Sequence, residues 1–253
     1  MQEAFFTKTI IFLPYGIYIK DLNALVTSDY HLGYEEVLYR EGIYVPDVQL
    51  NKIIKQLKFM RSNTKAEKIY LLGDLKHEFS EFTYSEFTEV RQLIEFLSNE
   101  FKEIYLVRGN HDNYIIQYLN KQGFEFHNYI IDEDILFIHG DKSPMELGID
   151  LENEKLKTII MGHLHPSIVL EDSIKIRRKF KIGLEAKADD YLFYILPGMS
   201  FLSYGIEIRE LIGSKTWPFL EDKALYDAIP YIMQDDYCIR FPKVSDILKS
   251  FRD

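Results

Sequence analysis

Five short polar clusters hold five of the seven histidines of this 253-residue chain. Carboxylates, imidazoles and one amide oxygen together form a mixed oxygen and nitrogen ligand set, which suits Mn²⁺, Fe or Zn²⁺ better than soft metals. The clusters therefore predict a site for divalent metal ions. In chain order they read Asp29-Tyr30-His31, Gly73-Asp74, Gly109-Asn110-His111-Asp112, His139-Gly140-Asp141 and Gly162-His163-Leu164-His165.

The spacing within the clusters favours ions that are shared between side chains. On an extended chain, Asp29 and His31 lie on the same side of the strand, and so do His163 and His165. Asp74 has two carboxylate oxygens and can bridge two ions, and ions about 3.5–4 Å apart serve in-line displacement at phosphorus. Each short pattern alone also occurs as a turn or a helix cap. All five in one chain favour a metal site.

Each cluster directly follows a predicted β-strand. Helical stripes separate the first strands, one in a helix opened by Pro46 and one marked by Phe87, Val90, Ile94 and Leu97. This alternation predicts an α/β layered protein, in which the carboxyl ends of strands meet at one edge of a sheet. We therefore expect the five clusters to converge. The predicted strands that precede them span residues 24–28, 68–72, 103–107, 135–138 and 158–161.

The second half of the chain predicts a mixed or second sheet. Further strands are expected over residues 126–131, 168–170, 174–182 and 191–196. The basic run 175–181 has two interpretations. It is either a nucleic-acid contact with Phe180 available for stacking, or an edge strand protected from aggregation by its charges. We expect one domain over residues 1–253, with residues from about 213 to 253 as a C-terminal extension.

Composition limits the classes of function. Hydrophobic residues make up 47% and charged residues 28% of the chain, which is typical of a globular protein. A formal charge of −10 argues against bulk non-specific DNA binding. Cys238 is the only cysteine, which excludes an internal disulfide framework and a cysteine zinc cluster. No apolar run approaches the ~20 residues that span a bilayer, and a cytoplasmic protein is expected.

The ordered motifs D-x-H, G-D, G-N-H-D, H-G-D and G-H-x-H resemble the calcineurin-like metallophosphoesterase superfamily. They run from Asp29 to His165, over half the chain. The segments His31-Leu32-Gly33-Tyr34-Glu35-Glu36 and Gly73-Asp74-Leu75-Lys76-His77-Glu78-Phe79 further resemble a bacterial and archaeal branch that includes DNA-ligase-associated phosphoesterases. The resemblance implies a four-layer α/β fold, a β-sandwich of two mixed sheets flanked by helices.

The resemblance also implies a ligand set for two divalent ions, with Mn²⁺ expected and Fe, Zn²⁺ and Ni²⁺ as alternatives. In that set Asp74 bridges the ions. His111 is similar to the family's catalytic histidine, and Asp112 would orient it. Lys76 and His77 stand where phosphoprotein phosphatases have acidic and arginine residues, which argues against that class. One ion would take Asp29, His31 and His165, and the other Asn110, His139 and His163.

The implied activity is hydrolysis of a phosphodiester by in-line attack of a hydroxide that bridges the ions. A phosphomonoesterase, a nuclease and a non-catalytic interaction module on the same fold are the alternatives. Expected substrates are phosphorylated small molecules, nucleotides or short nucleic acids. No membrane partner is expected, and a homo-oligomer and a DNA-repair context stay open. Arg40, Lys76 and His77 are candidate substrate contacts, and His127 is expected to be structural.

Overall fold

Short runs of β-branched and aromatic residues form the strands of two mixed sheets, with helices on their outer faces. The computed structural model describes residues 9–152, 154–172, 174–214 and 220–250. The first sheet has the order β1 to β6, antiparallel from β1 to β3 and parallel from β3 to β6. Its strands are β1 (Ile10–Leu13), β2 (Gly16–Ile19), β3 (Ala24–Thr27), β4 (Lys68–Leu72), β5 (Glu103–Val107) and β6 (Phe126–His127).

The helices of the first half connect the parallel strands, as the alternating pattern predicts. A capping box between Thr83 and Glu86 begins α3, whose apolar stripe packs into the core. The helix predicted to open at Pro46 begins instead at Gln49, so Pro46 lies in the preceding loop. These helices are α1 (Tyr34–Arg40), α2 (Gln49–Thr64), α3 (Tyr84–Glu100) and α4 (Ile116–Lys121).

The second sheet contains nine strands, with the path β13-β10-β11-β12-β9-β8-β7 and with β14 and β15 added beside β11. Helices α5 (Ile208–Leu211) and α6 (Asp222–Asp227) pack on β10 and β11, and α7 (Val244–Ser250) packs on α6. The strands are β7 (Tyr129–Asp132), β8 (Ile135–Ile138), β9 (Thr158–Met161), β10 (Pro166–Glu171), β11 (Arg177–Ala188), β12 (Tyr191–Ile195), β13 (Ile206–Glu207), β14 (Ile229–Met233) and β15 (Cys238–Arg240).

Strand β8 shows how the second sheet is buried on both faces. Ile135 and Phe137 belong to the core between the sheets, and Leu136 and Ile138 belong to the core beneath α5, α6 and α7. All four side chains are completely buried. Between the sheets, Tyr70 on β4 stacks on Phe137 with ring centroids 4.3 Å apart. This packing fixes the sheets relative to each other, and with them the strand ends that carry the polar clusters.

One predicted strand of the second half is wrong, and the structure bears on the basic run as well. The strand expected over residues 126–131 is two strands, because β6 pairs with β5 in the first sheet and β7 pairs with β8 in the second. Along the basic run, residues 177–181 pair with β10, whereas the pairings of β11 with β14 and β12 begin at Ile182 and Leu184, so the edge-strand interpretation stays a prediction. Its Phe180 packs against the core instead of standing free for stacking.

The predicted C-terminal extension joins the second sheet, since β14 pairs with β11 and β15 pairs with β14. Cys238 donates from its thiol to the carbonyl oxygen of Phe12 in β1 at 3.1 Å, which ties this segment to the first sheet as well. Residues 215–219 and 251–253 of the extension lie outside the described residues. Within the described part of the chain, the search for a helix long and apolar enough to span a membrane found none.

Candidate metal centre

The polar clusters follow strands of both sheets and meet at one edge of the sandwich. Asp29 and Asp74 come two residues after β3 and β4. His139 comes directly after β8, and His163 follows β9. The backbone N–H of Asp29 donates to the carbonyl oxygen of Gly73 at 3.1 Å, so the two loops are bonded to each other beyond their strands. The convergence expected from the sequence is therefore present.

Five of these residues adopt the left-handed backbone conformation. The φ angles are 58° at Asp29, 47° at His31, 52° at Asp74, 64° at His163 and 41° at His165. The pairs Asp29–His31 and His163–His165 therefore lie on tightly turned chain, and the prediction that they are extended is wrong. Non-glycine residues in this region cost about 1–3 kcal/mol each and concentrate at functional sites. The surrounding hydrogen bonds must hold them there.

Asp29, His31 and His165 form one donor group, which we call the Asp29 cluster. The His165 Nε2 atom is 2.9 Å from Asp29 Oδ1 and 3.4 Å from His31 Nε2. Asp29 is completely buried and His31 is 4% exposed. One carboxylate and two imidazole nitrogens thus converge on a single point, with donor atoms close enough to share one ion.

Asp74, His139 and His163 form a second group, the Asp74 cluster. The His139 Nε2 atom lies 3.4 Å from Asp74 Oδ2 and 3.2 Å from His163 Nδ1. Asn110 joins them, with its Oδ1 atom 3.0 Å from the same nitrogen. His139 Nδ1 donates to the carbonyl oxygen of Leu72 at 2.8 Å, which leaves Nε2 to face the other donors.

Asp74 lies between the two groups. Its Oδ2 atom is 3.4 Å from His139 Nε2 and 3.9 Å from His31 Nε2. The clusters also approach each other directly, since His139 Nδ1 is 3.8 Å from Asp29 Oδ1. The carboxylate of Asp74 is thus placed to contact ions in both groups.

The charges at this edge of the sandwich favour cations. Burial tends to raise the pKa of Asp29, yet the neighbouring imidazoles of His165 and His139 bring it down to about 2. Burial is likewise outweighed at Asp74, where His139 and His31 hold the pKa well below its usual range. Burial lowers the pKa of His31 and of His163. At His139 the opposite holds, because the charges of Asp74 and Asp29 outweigh burial and raise the pKa to about 10. Two buried carboxylates are therefore ionised at neutral pH beside imidazole nitrogens, and this donor set fits divalent metal ions.

Two glycines let the backbone pass close to these carboxylates. A Cβ atom on Gly109 would lie 2.2 Å from Asp74 Oδ1, and one on Gly162 would lie 2.5 Å from Asp29 Oδ2. Both distances are much shorter than a van der Waals contact, so the atoms would overlap. Glycine is therefore required at the two positions for the carboxylates to keep their places.

The comparisons with known proteins agree with this geometry. The family model for calcineurin-like phosphoesterases matches residues 22–179, which include every residue of both clusters. The chain belongs to the calcineurin-like phosphoesterase family. The family implies phosphoester hydrolysis and a centre for two divalent ions, and the described residues offer donor groups for them.

A solved structure shares the fold, and a second is similar over much of its length. The nuclease MPE of Pseudomonas putida superimposes with a TM-score of 0.60 over 92% of this chain and 100% of that chain, at 16% identity. The phosphoesterase Yfce of E. coli covers 88% of this chain and 94% of that chain at 13% identity, with a TM-score of 0.40.

A curated relative matches a short stretch only. The DNA mismatch repair protein MutS of Caldanaerobacter subterraneus is 38% identical over 64 residues. This match spans 24% of the chain and 7% of the relative.

His111 stands beside the Asp29 and Asp74 clusters of this member of the calcineurin-like phosphoesterase family. Its Nε2 atom is 3.8 Å from Asp74 Oδ2, and its Nδ1–H donates to the carbonyl oxygen of His77. Burial lowers the pKa of its imidazole. A backbone carbonyl therefore orients this ring.

The structure gives Asp112 three backbone contacts, and its orientation of His111 stays a prediction. Its carboxylate accepts hydrogen bonds from the backbone N–H groups of Gly109, Asp74 and Leu75 at 2.8, 2.9 and 2.8 Å. Burial and the charge of Asp74 raise the pKa of Asp112 to about 6. Asp112 thus ties the loop after β5 to the loop after β4.

The three predicted substrate contacts differ in their surroundings. Lys76 is completely buried, and its ammonium donates to the carbonyl oxygens of Glu78 and Glu81. Its contact with substrate stays a prediction. Arg40 is exposed and pairs with Glu36 and Glu81 at 2.6 and 2.5 Å. For Arg40 the substrate contact stays a prediction.

His77 joins the centre through His31 and His111, with its Nδ1 atom 3.4 Å from His31 Nδ1. The sequence did not single out two aromatic neighbours of these rings. Tyr34 stacks on His77 with centroids 3.9 Å apart, and Phe79 lies over His111 at 3.5 Å. Both residues lie in the segments that resemble the bacterial and archaeal branch. That resemblance is the feature of the sequence from which they could have been identified. His127, expected to be structural, lies in β6 with its carbonyl oxygen bonded to Arg108 N.

Proposed function

We propose that this phosphoesterase hydrolyses phosphodiesters and that two divalent ions, with Mn²⁺ as the first candidate, bind at the two clusters. Asp29, His31 and His165 would hold one ion. Asn110, His139 and His163 would hold the other, and Asp74 would contact both. The observation that carries the proposal is the convergence of both clusters on the buried carboxylate of Asp74, beside His111.

When bound, the two ions would supply an activated water nucleophile at neutral pH and offset charge on the phosphoryl oxygens. The side chains of the chain do the remaining work. Asp29 and Asp74 are ionised, buried and fixed by backbone hydrogen bonds, so their positions do not change when charge develops. The left-handed turns hold His31 and His165 against Asp29.

His111 is the proposed general acid. The carbonyl oxygen of His77 accepts from Nδ1 and directs Nε2 to the side of Asp74. With Nδ1–H bonded to His77, a second proton at Nε2 makes the ring an imidazolium, a form that burial disfavours and the charge of Asp74 favours. This second proton would pass from Nε2 to the leaving oxygen and leave the ring neutral. Such proton transfer is typically worth 10²–10⁴-fold in rate.

The preference for diesters is supported by the cations near the centre. A monoester carries two negative charges and needs more positive charge than a diester does. Lys76 is buried on loop carbonyls, and Arg40 is paired with Glu36 and Glu81. Neither side chain is therefore placed to neutralise the second negative charge of a phosphomonoester. The fold shared with the nuclease of Pseudomonas putida makes a nucleic-acid diester a substrate to include in the test.

Hydrolysis of a chromogenic diester and the matching monoester tests the proposal, with chelator-stripped protein and added Mn²⁺. We expect restored diester turnover that exceeds monoester turnover, and activity on a short oligonucleotide is measured alongside. His111→Ala should keep both ions and lose 10²–10⁴-fold in turnover. His127→Ala is the matched control, because His127 lies in β6 outside the clusters, and it should keep its activity. Monoester turnover alone, or full activity of His111→Ala, contradicts the proposal.

A further inference from the structure

A serine hydroxyl lies beside the ring nitrogen of His165 that points away from the Asp29 cluster. Ser203 Oγ is 3.3 Å from His165 Nδ1, while Nε2 of the same ring is 2.9 Å from Asp29 Oδ1. An imidazole that binds a metal through Nε2 carries its proton on Nδ1, and that proton needs an acceptor. Ser203 Oγ is in the position of this acceptor, and so it selects the metal-binding tautomer of His165.

Ser200 fixes the backbone around Ser203. Its Oγ atom accepts from the backbone N–H groups of Leu202 and Ser203, both at 3.3 Å. Its own backbone N–H donates to the carbonyl oxygen of Asp29 at 3.0 Å. The segment 200–203 therefore contacts two members of the Asp29 cluster, one through the backbone and one through the Ser203 hydroxyl.

The carboxamide of Gln49 connects this segment to the third member. Its Oε1 atom accepts from Ser200 Oγ at 2.7 Å, and its Nε2 atom donates to the carbonyl oxygen of His31 at 2.8 Å. Gln49 is the first residue of α2 and is 1% exposed. One buried side chain thus links the left-handed turn at His31 to the segment that orients His165.

Lys181 supports the same segment from β11. It is buried, and its ammonium donates to the carbonyl oxygens of Gly198 and Ser200. The last residue of the basic run therefore has an internal partner next to the metal ligands. In the Asp74 cluster, by contrast, His139 takes its orienting contact from the Leu72 carbonyl on β4.

We propose that Gln49 and Ser203 are positioning residues that set the metal affinity of the Asp29 cluster and leave the affinity of the Asp74 cluster nearly unchanged. The inference rests on the proposed function, because it takes both clusters as metal sites. Loss of a residue that orients a metal ligand typically weakens metal binding 10–100-fold. Gln49→Leu and Ser203→Ala should show this loss at one of the two sites.

The experiment is a Mn²⁺ titration of chelator-stripped protein, followed by equilibrium dialysis and by the electron paramagnetic resonance of the bound ions. Two adjacent Mn²⁺ ions give a spin-coupled spectrum, and a single ion gives six lines. Gln56→Leu is the matched control, since Gln56 is also a buried amide on α2 but donates to the carbonyl oxygen of Pro14 at 3.3 Å. Ser203→Thr keeps the hydroxyl and should restore wild-type binding.

We expect wild type, Gln56→Leu and Ser203→Thr to bind two coupled ions. At the same free Mn²⁺, Gln49→Leu and Ser203→Ala should give the six-line signal, with one site weakened 10–100-fold. Ser203 is only half-buried, so Ser203→Ala carries the test if Gln49→Leu does not fold.

The experiment distinguishes failure of this inference from failure of the proposed function. Two coupled ions in wild type, with Gln49→Leu and Ser203→Ala matching their controls, contradict this inference alone. A wild-type chain that binds fewer than two ions contradicts the proposed function, and this inference with it.

Discussion

The carboxylate of Asp112 offers the strictest test of which contacts hold the centre together. It is completely buried and accepts hydrogen bonds from three backbone N–H groups. Its Oδ2 atom accepts from Gly109 and Asp74, and its Oδ1 atom accepts from Leu75. In Asp112→Asn, an amide nitrogen must replace one of the two oxygens. If the asparagine oxygen takes the place of Oδ2, it keeps the bonds from Gly109 and Asp74. The side-chain NH₂ group then faces the backbone N–H of Leu75, and two donors are left without an acceptor between them.

The magnitude follows from these contacts. A hydrogen bond to a charged group contributes about 1.5–3 kcal/mol, so Asp112→Asn should lower the free energy of unfolding by about 2–4 kcal/mol. Asp112→Ala leaves three buried N–H groups without this acceptor, at about 1–3 kcal/mol each. That loss approaches the whole stability of a domain, about 5–15 kcal/mol, so Asp112→Ala should fold poorly. Because the bonds fix Asp74, Asp112→Asn should also bind Mn²⁺ more weakly.

The assay is urea unfolding of chelator-treated protein, with Mn²⁺ affinity measured on the same samples. Asp172→Asn is the control, because Asp172 also accepts two backbone N–H groups, from Ile174 and Ile176 at 3.0 Å, but lies in an exposed turn. It should cost less than about 1 kcal/mol. Wild-type stability and metal affinity in Asp112→Asn, with only turnover reduced, would refute this reasoning and favour the role of orienting His111.

Three further predictions concern other parts of the molecule. Phe137→Ala should lower the free energy of unfolding by about 3–5 kcal/mol in urea titrations, because its ring is buried against Tyr70. Gly109→Ala should abolish Mn²⁺ binding in equilibrium dialysis, since its methyl group would displace Asp74. Burial and the charges of Glu35 and Asp47 raise the pKa of Glu89 to about 7. The native state then holds a proton that the unfolded state releases, so stability falls between about pH 4.5 and 7 and Glu89→Gln should reduce that fall in thermal melts.

Much of the centre could be predicted because its residue types are rare in combination and follow recognisable strands. The strands before the clusters at Asp74, Asn110, His139 and His163 match the structure within one residue. The continuous apolar run of β8, buried on both faces, and the capping box of α3 are also local patterns that a sequence displays. The convergence of the clusters followed from the rule that strand ends meet at one edge.

The rest depended on contacts between distant residues. The chain passes from one sheet to the other between His127 and Tyr129, and no local pattern separates the two strands. The left-handed turns at Asp29 and His165 arise from bonds to the 200–206 segment, far along the chain. The burial of Lys76, a candidate substrate contact, could not be predicted because its partners are carbonyl groups, which every residue has.

The central claim is that two metal ions act together at the Asp29 and Asp74 clusters. The most direct measurement is diester turnover by chelator-stripped wild-type protein as a function of the number of Mn²⁺ ions bound per chain. The account predicts little turnover with one ion, a steep rise as the second ion binds, and saturation at two. Full turnover at one ion per chain, or turnover that persists after the ions are removed, would contradict it.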